Sequence, residues 1–195
     1  MTISNKKSLW ASMVEWIKVI VIALIISLPI RYFIAEPFIV QGASMDPTFA
    51  TNQFLIVDRL SYRFENPQRG DVIVFEYPNN PRIYYIKRII GLPGETITMK
   101  DGNITITNHN DAAFTAANPN GLTLDEPYIE DIHKSHDDLS TTLDKDNYFV
   151  MGDNRLQSSD SRAWGDLNRN LIIGQPFVRL LPLPSISIWP GKESQ

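Results

Sequence analysis

The chain has no cysteine, which excludes disulfides, a thiol nucleophile and cysteine-ligated metal sites. That absence does not fix the compartment, because 195 residues can build a core without covalent staples. It also lacks a basic excess. Eighteen Lys and Arg face 22 Asp and Glu, a net charge of −4, which argues against a nucleic-acid footprint and a large polybasic membrane surface. Histidine is scarce. His109, His133 and His136 all fall in a stretch rich in Asn and Asp. A Ser–His–Asp triad would need one of them near its serine. The run His133-Lys-Ser-His136-Asp-Asp138 has some metal-site character, but it reads more simply as a solvated acidic loop. No metal and no cofactor are expected, and no internal repeat is visible.

Long apolar runs are also few, and one stands out. Val19 to Ile30 carries no charge, and from Leu9 to Ile30 only Glu15 and Lys18 interrupt an apolar stretch of 22 residues. A spanning helix needs roughly 20. Glu15 and Lys18 are three apart and can pair on one helix face near the N-terminal interface. The alternatives are a buried core helix or a cleavable signal peptide. The residues after Ile30, Arg-Tyr-Phe-Ile-Ala-Glu-Pro-Phe38, lack an Ala-X-Ala cleavage pattern. The expectation is an uncleaved anchor over 9–32, behind a polar tail at 1–8. Lys6 and Lys7 precede the span, so the N-terminus is expected in the cytoplasm and the rest outside the plasma membrane, against the lipid bilayer.

From residue 33 to 195 the texture changes to short β-branched and aromatic runs split by turn residues, which predicts a mainly β domain. Strands are expected at 54–57, 71–77, 83–90, 148–151, 171–173 and 177–181, with a turn at 78–81. Thr96–Lys100 and Asn103–Thr107 flank Asp101-Gly102, a two-residue hairpin signal. Residues 108–146 read as an insertion with little core.

Three segments can carry chemistry. Ser44 sits in Gly42-Ala-Ser-Met-Asp-Pro-Thr48, where an exposed bend could present a hydroxyl, although a serine in such company is most often only a turn residue. Lys87 shares a strand face with Tyr85 and Ile89. Burial there would disfavour its ammonium and make it a base near neutral pH. On that segment alone, a strand-edge lysine paired with an acid or snorkelling to water is the more common case. Gly152-Asp-Asn-Arg-Leu-Gln-Ser-Ser-Asp-Ser-Arg162 packs charges and hydroxyls into one loop, suited either to orienting another side chain or to solvation.

Together these segments resemble the boxes of the type I signal peptidases. The motifs are Ser44-Met-Asp-Pro-Thr48, Arg69-Gly-Asp-Val-Ile-Val-Phe75, Tyr85-Ile-Lys-Arg-Ile-Ile-Gly-Leu-Pro-Gly-Glu95 and Gly152 to Arg162, in that order behind one N-terminal span. The resemblance implies an antiparallel, barrel-like β-sheet domain on the outer membrane face. It implies a serine endopeptidase with Ser44 as nucleophile and Lys87 as general base. Ser158 is similar to the hydroxyl that orients the lysine. Asp153, Asp160, Arg88 and Arg162 resemble the ion pairs that hold the loop against the lysine strand. Phe38, Val40, Met45, Val74, Tyr85 and Ile86 match shallow apolar pockets for small residues of preprotein signal peptides, though each also fits core packing. Two positions depart from the pattern. Gly42 stands where some members carry an oxyanion-stabilising serine, and Leu156-Gln157 stands where many have Asp-Asn. The competing readings are a Ser–Lys protease that cleaves itself or one dedicated partner, and an anchored β module that binds extended peptides without cutting them.

Overall fold

The computed structural model describes residues 5–29, 34–108 and 112–192. Helix α1 runs Asn5–Pro29, so it takes in part of the segment read as a polar tail. Its side chains from Trp10 onward are exposed: Trp10, Trp16, Ile25 and Leu28 are each more than half exposed. Trp10–Pro29 is long and apolar enough to cross a membrane. At 1.5 Å per residue its 20 residues match the roughly 30 Å hydrocarbon thickness. Residues 1–4 of the expected tail and 30–32 of the expected anchor lie outside the described residues, as does His109.

Beyond the helix the chain is antiparallel β. The strands are β1 (Ala35–Ile39), β2 (Phe54–Asp58), β3 (Val72–Tyr77), β4 (Asn80–Gly91), β5 (Thr96–Lys100), β6 (Asn103–Thr107), β7 (Leu122–Thr123), β8 (Leu139–Thr142), β9 (Asn147–Met151), β10 (Leu167–Asn168), β11 (Ile172–Leu181) and β12 (Ser187–Ile188). Two short helices, α2 (Ala112–Ala117) and α3 (Ser161–Trp164), complete it. The larger sheet has the order β1-β2-β11-β3-β4-β9-β10, with β12 on β11, and the smaller one has the order β7-β6-β5-β8.

Strand β3 lies between β11 and β4, and residues 72–75 are buried on both faces. Ile73 and Phe75 join Ile89, Tyr148, Val150 and Leu167 in one core. Val72 joins Val40, Met45, Phe49 and Leu55 in another. The smaller sheet closes a third around Ile97, Ile104, Ile106, Phe149 and Met151.

The stretch 108–146 does more than the sequence suggests. It supplies both edge strands of the smaller sheet, and Leu143 and Ile129 are buried. The two strands expected at 171–173 and 177–181 are one bulged strand, β11. The turn at 78–81 is tighter than expected, because β4 already begins at Asn80 and pairs with Tyr77.

Candidate active site

Ser44 lies on the connection between β1 and β2. That connection is closed where Val40 N–H donates to Gln53 O (2.9 Å) and Asn52 N–H donates to Val40 O (2.9 Å). The Thr51 hydroxyl ties the bend further by donating to Gly42 O at 3.0 Å. Met45 and Phe49 anchor it from below, 1% and 0% exposed. With the next residue fixed in the core, Ser44 stays at the half-buried surface of the bend. Gly42 has φ +90°, and a Cβ there would meet nothing within 4 Å. Backbone conformation, not space, selects glycine over serine at this position.

Lys87 lies on β4 opposite Ile73 of β3. It is 3% exposed. Its Nζ is 2.7 Å from Ser44 Oγ and donates to Ile86 O at 2.9 Å. The Tyr85 ring lies beside it, with Nζ 5.3 Å from the centroid. Burial lowers the Lys87 ammonium to about 8, against the opposing pull of the Asp160 and Asp153 carboxylates. A neutral amine here has one N–H occupied by the Ile86 carbonyl and a lone pair free to accept the Ser44 proton.

The loop after β9 grips both segments. Asn154 N–H donates to Ser44 O at 3.1 Å. A Cβ on Gly152 would overlap both Ser44 O and Ser158 Oγ, so only glycine allows this approach. Asp153 accepts from Arg88 Nε (2.9 Å) and Nη2 (2.7 Å), a pair 1% and 0% exposed, and also from Thr48 Oγ1 (2.6 Å). The remaining Arg88 nitrogen donates to Gly70 O (2.8 Å) and Gly191 O (2.9 Å), and its guanidinium stacks 3.9 Å from the Tyr128 ring. Asp160 accepts from Gly152 N–H at 3.1 Å and from Arg162 Nε and Nη2 at 2.8 Å each. Arg162 also reaches Ser135 and Asp137. The Arg88–Asp153 pair thus joins loop to lysine strand, whereas the Arg162–Asp160 pair lies within the loop and fastens 135–137 to it. Among the described residues Ser158 Oγ is buried without a hydrogen-bond partner, Lys87 included.

A cleft of about 500 Å³ opens at the Ser44–Lys87 pair. Phe38, Val40, Val74, Tyr85 and Ile86 line it, and Met45 does not, because its side chain packs downward with Phe49 and Leu55. Gln157, given no chemical part by the sequence, also lines it. Strand β4 pairs with β9 only from Arg88 onward, so among the described residues 82–86 present an unpaired edge to the cleft. His133 and His136 belong to the segment 131–138, and neither is a cleft residue. Among the described residues no three His, Asp or Glu side chains gather as for a metal ion.

Sequence reasoning passed over Thr48, Gly152, Tyr128 and Gly191, whose parts depend on partners up to 105 positions away. It also passed over Glu126, which pairs with buried Arg155. A residual signal existed for Thr48 and Gly152, which both lie inside recognised motifs.

What this geometry defines is a serine held against a buried lysine at the edge of an antiparallel β domain. The model of the family "Signal peptidase, peptidase S26" matches residues 13–181. Among relatives, "Signal peptidase I P" of Bacillus subtilis subsp. natto is 38% identical, over 93% of this chain and 95% of its own. "Signal peptidase I" of Bacillus licheniformis is 36% identical, over 94% and 95%. A crystal structure of a signal peptidase I from Enterococcus faecalis aligns with a TM-score of 0.40 and 31% identity, over 57% of this chain and 97% of that one. The chain belongs to the signal peptidase, peptidase S26, family, and it is a serine peptidase.

Proposed function

We propose that this peptidase removes signal peptides from exported preproteins with Ser44 as nucleophile and Lys87 as general base. The observation that carries the reading is the 2.7 Å separation of Lys87 Nζ and Ser44 Oγ, with the amine 3% exposed and its ammonium destabilised to about 8. A serine hydroxyl becomes an effective nucleophile only beside a base, and an amine serves as that base only when much of it is unprotonated at working pH.

Ser44 Oγ adds to the scissile carbonyl as its proton passes to Lys87 Nζ. Backbone N–H groups at the bend, with Gly42 in place of a serine, stabilise the oxyanion. Lys87 returns the proton to the departing amine, leaving an acyl-enzyme. A water then gives its proton to Lys87 as it adds to the acyl carbon, and Lys87 passes that proton to Ser44 Oγ as the ester bond breaks. Ser158, whose buried hydroxyl has no hydrogen-bond partner among the described residues, would orient the amine. Arg88, Asp153, Asp160 and Arg162 support the loop. Phe38, Val40, Val74, Tyr85 and Ile86 would form shallow pockets for small side chains at −1 and −3. The open β4 edge suits pairing with an extended substrate strand.

In the same proposal α1 spans the membrane with Lys6 and Lys7 on the cytoplasmic side, and the β domain lies outside. Exposed Leu181, Leu183, Ile186 and Ile188 give that domain an apolar border that lipid can cover.

The test is cleavage of a preprotein carrying alanine at −1 and −3 by the detergent-solubilised full chain. Ser44→Ala and Lys87→Ala should each lose activity by orders of magnitude. Full activity in either removes the dyad. A His133→Ala/His136→Ala double variant should keep wild-type activity, and its inactivation would reopen a histidine mechanism.

A further inference from the structure

A base and a nucleophile 43 positions apart in sequence stay at hydrogen-bond distance only if something ties their segments together. The Ser44 bend meets the rest of the site through two bonds to the loop after β9, Asn154 N–H to Ser44 O and Thr48 Oγ1 to Asp153 Oδ2. The first fixes the bend at one backbone atom, and beneath it Met45 and Phe49 pack into the core that Val72 and Ile86 also join. The second reaches a carboxylate that is itself locked, since Asp153 is bidentate with Arg88 and fully buried. Arg88 is the neighbour of Lys87 on β4 and is further held by Gly70 O, Gly191 O and the Tyr128 ring. At 2.6 Å the Thr48 bond is short, as expected of a hydroxyl donating to an ionised carboxylate.

We infer that Thr48 is a positioning residue for catalysis. Its hydroxyl pins the nucleophile bend to the Asp153–Arg88 pair and so sets the Ser44–Lys87 geometry from the lysine's own strand.

The alternative is that Thr48 merely fills a turn. Its backbone already has a structural task, because Thr48 O accepts from Arg179 Nη1 at 3.0 Å. Substitution of the side chain leaves that bond intact. Thr48→Val keeps shape and removes only the donor, while Thr48→Ser keeps the donor and removes a methyl. The inference rests on the Ser–Lys reading of the site, and both can be tested in one assay.

Preprotein cleavage is measured for wild type, Thr48→Val, Thr48→Ser and Ser44→Ala, as kcat, KM and the pH dependence of kcat/KM. Displacing reacting atoms by an ångström can cost on the order of 100-fold. The expected result for Thr48→Val is a kcat about 10- to 100-fold lower with KM changed less than about twofold. Its rising pH limb should also move upward, as a loosened Lys87 regains water. Thr48→Ser should recover kcat to within about threefold of wild type and restore the limb. Wild-type kcat in Thr48→Val overturns the inference, and so does equal loss in Thr48→Ser. A loss confined to KM also overturns it, since it would place Thr48 in binding. If Ser44→Ala retains cleavage, the dyad itself has failed. If Ser44→Ala is inactive and Thr48→Val is not, only the positioning role has failed.

Discussion

Lys87→Met should make the protein more stable at neutral pH while abolishing cleavage. The wild-type lysine is 3% exposed, and burial has moved its ammonium from 10.5 to about 8. At about 1.36 kcal/mol per pH unit, carrying that charge at pH 7 costs the folded state about 3 kcal/mol relative to the unfolded chain. Methionine has a similar length and no charge, so the cost disappears. Both of its hydrogen bonds, to Ser44 Oγ and to Ile86 O, go with it, a loss of about 2 kcal/mol in all. The net gain at pH 7 is about 1 kcal/mol, or roughly 2–4 °C in Tm for a chain of this size.

The pH dependence separates this account from simple improvement of packing. Below about 8 both folded and unfolded lysines are protonated, and the penalty on wild type is complete. Between 8 and 10.5 the unfolded chain binds more protons than the folded one, so wild-type stability rises with pH. Above 10.5 both states are neutral and the penalty is gone. By pH 10 about 1 kcal/mol of it remains, less than the two lost hydrogen bonds contribute. The variant should then melt below wild type. Thermal unfolding in detergent at pH 7 and pH 10, followed by circular dichroism, reads this directly. A variant less stable than wild type at pH 7, or a gain that is the same at both pH values, would refute the reasoning.

Other outcomes follow from the same contacts. On the proposed mechanism the wild-type kcat/KM should rise with pH through an apparent value near 8, where Lys87 loses its proton. Gly152→Ala should lose cleavage with its secondary structure retained, because the new Cβ overlaps Ser44 O and Ser158 Oγ. Circular dichroism beside the cleavage assay distinguishes this from unfolding. Asp153→Asn should cost about 3–5 kcal/mol in urea unfolding by leaving buried Arg88 unpaired. It should also move the rising limb of the pH profile downward, since the Asp153 charge favours the Lys87 ammonium.

Much of the architecture is legible in the sequence because period and turn chemistry agree locally. Asp101-Gly102 marks the β5–β6 hairpin, and Tyr85 and Ile89 around Lys87 signal a charged residue on an apolar face. Legibility fails where long-range contact decides. Gly174-Gln-Pro176 looks like a break between two strands, yet β11 runs through it. A Cβ at Gly174 would overlap the Asp58 carbonyl oxygen, so the glycine serves a close approach to β2 within one strand. In 108–146 the edge strands are short and carry Thr and Ser outward, with Thr96 and Thr142 hydroxyls 2.8 Å apart across β5 and β8. Their apolar content is too low to announce a sheet. Nothing local in the sequence pairs Arg155 with Glu126, 29 positions away, and only the fold buries them against each other.

The ion pairs around the lysine bear on how its ammonium can be destabilised in a neighbourhood that contains acids. Alone, Asp153 and Asp160 would hold Lys87 as an ammonium, and both do pull in that direction. Yet desolvation by burial is the larger influence. Each carboxylate is bound bidentately by a guanidinium, Asp153 by Arg88 and Asp160 by Arg162. A compact pair of opposite charges has a field that falls away much faster than that of a single charge. Lys87 therefore meets two nearly neutral pairs instead of two bare anions, while strand and loop exclude water from its amine. The same carboxylates remain free to take structural bonds from Thr48 and from the Gly152 amide. Neutralising the acids with arginine, rather than omitting them, lets the loop be rigid and the lysine be basic at once.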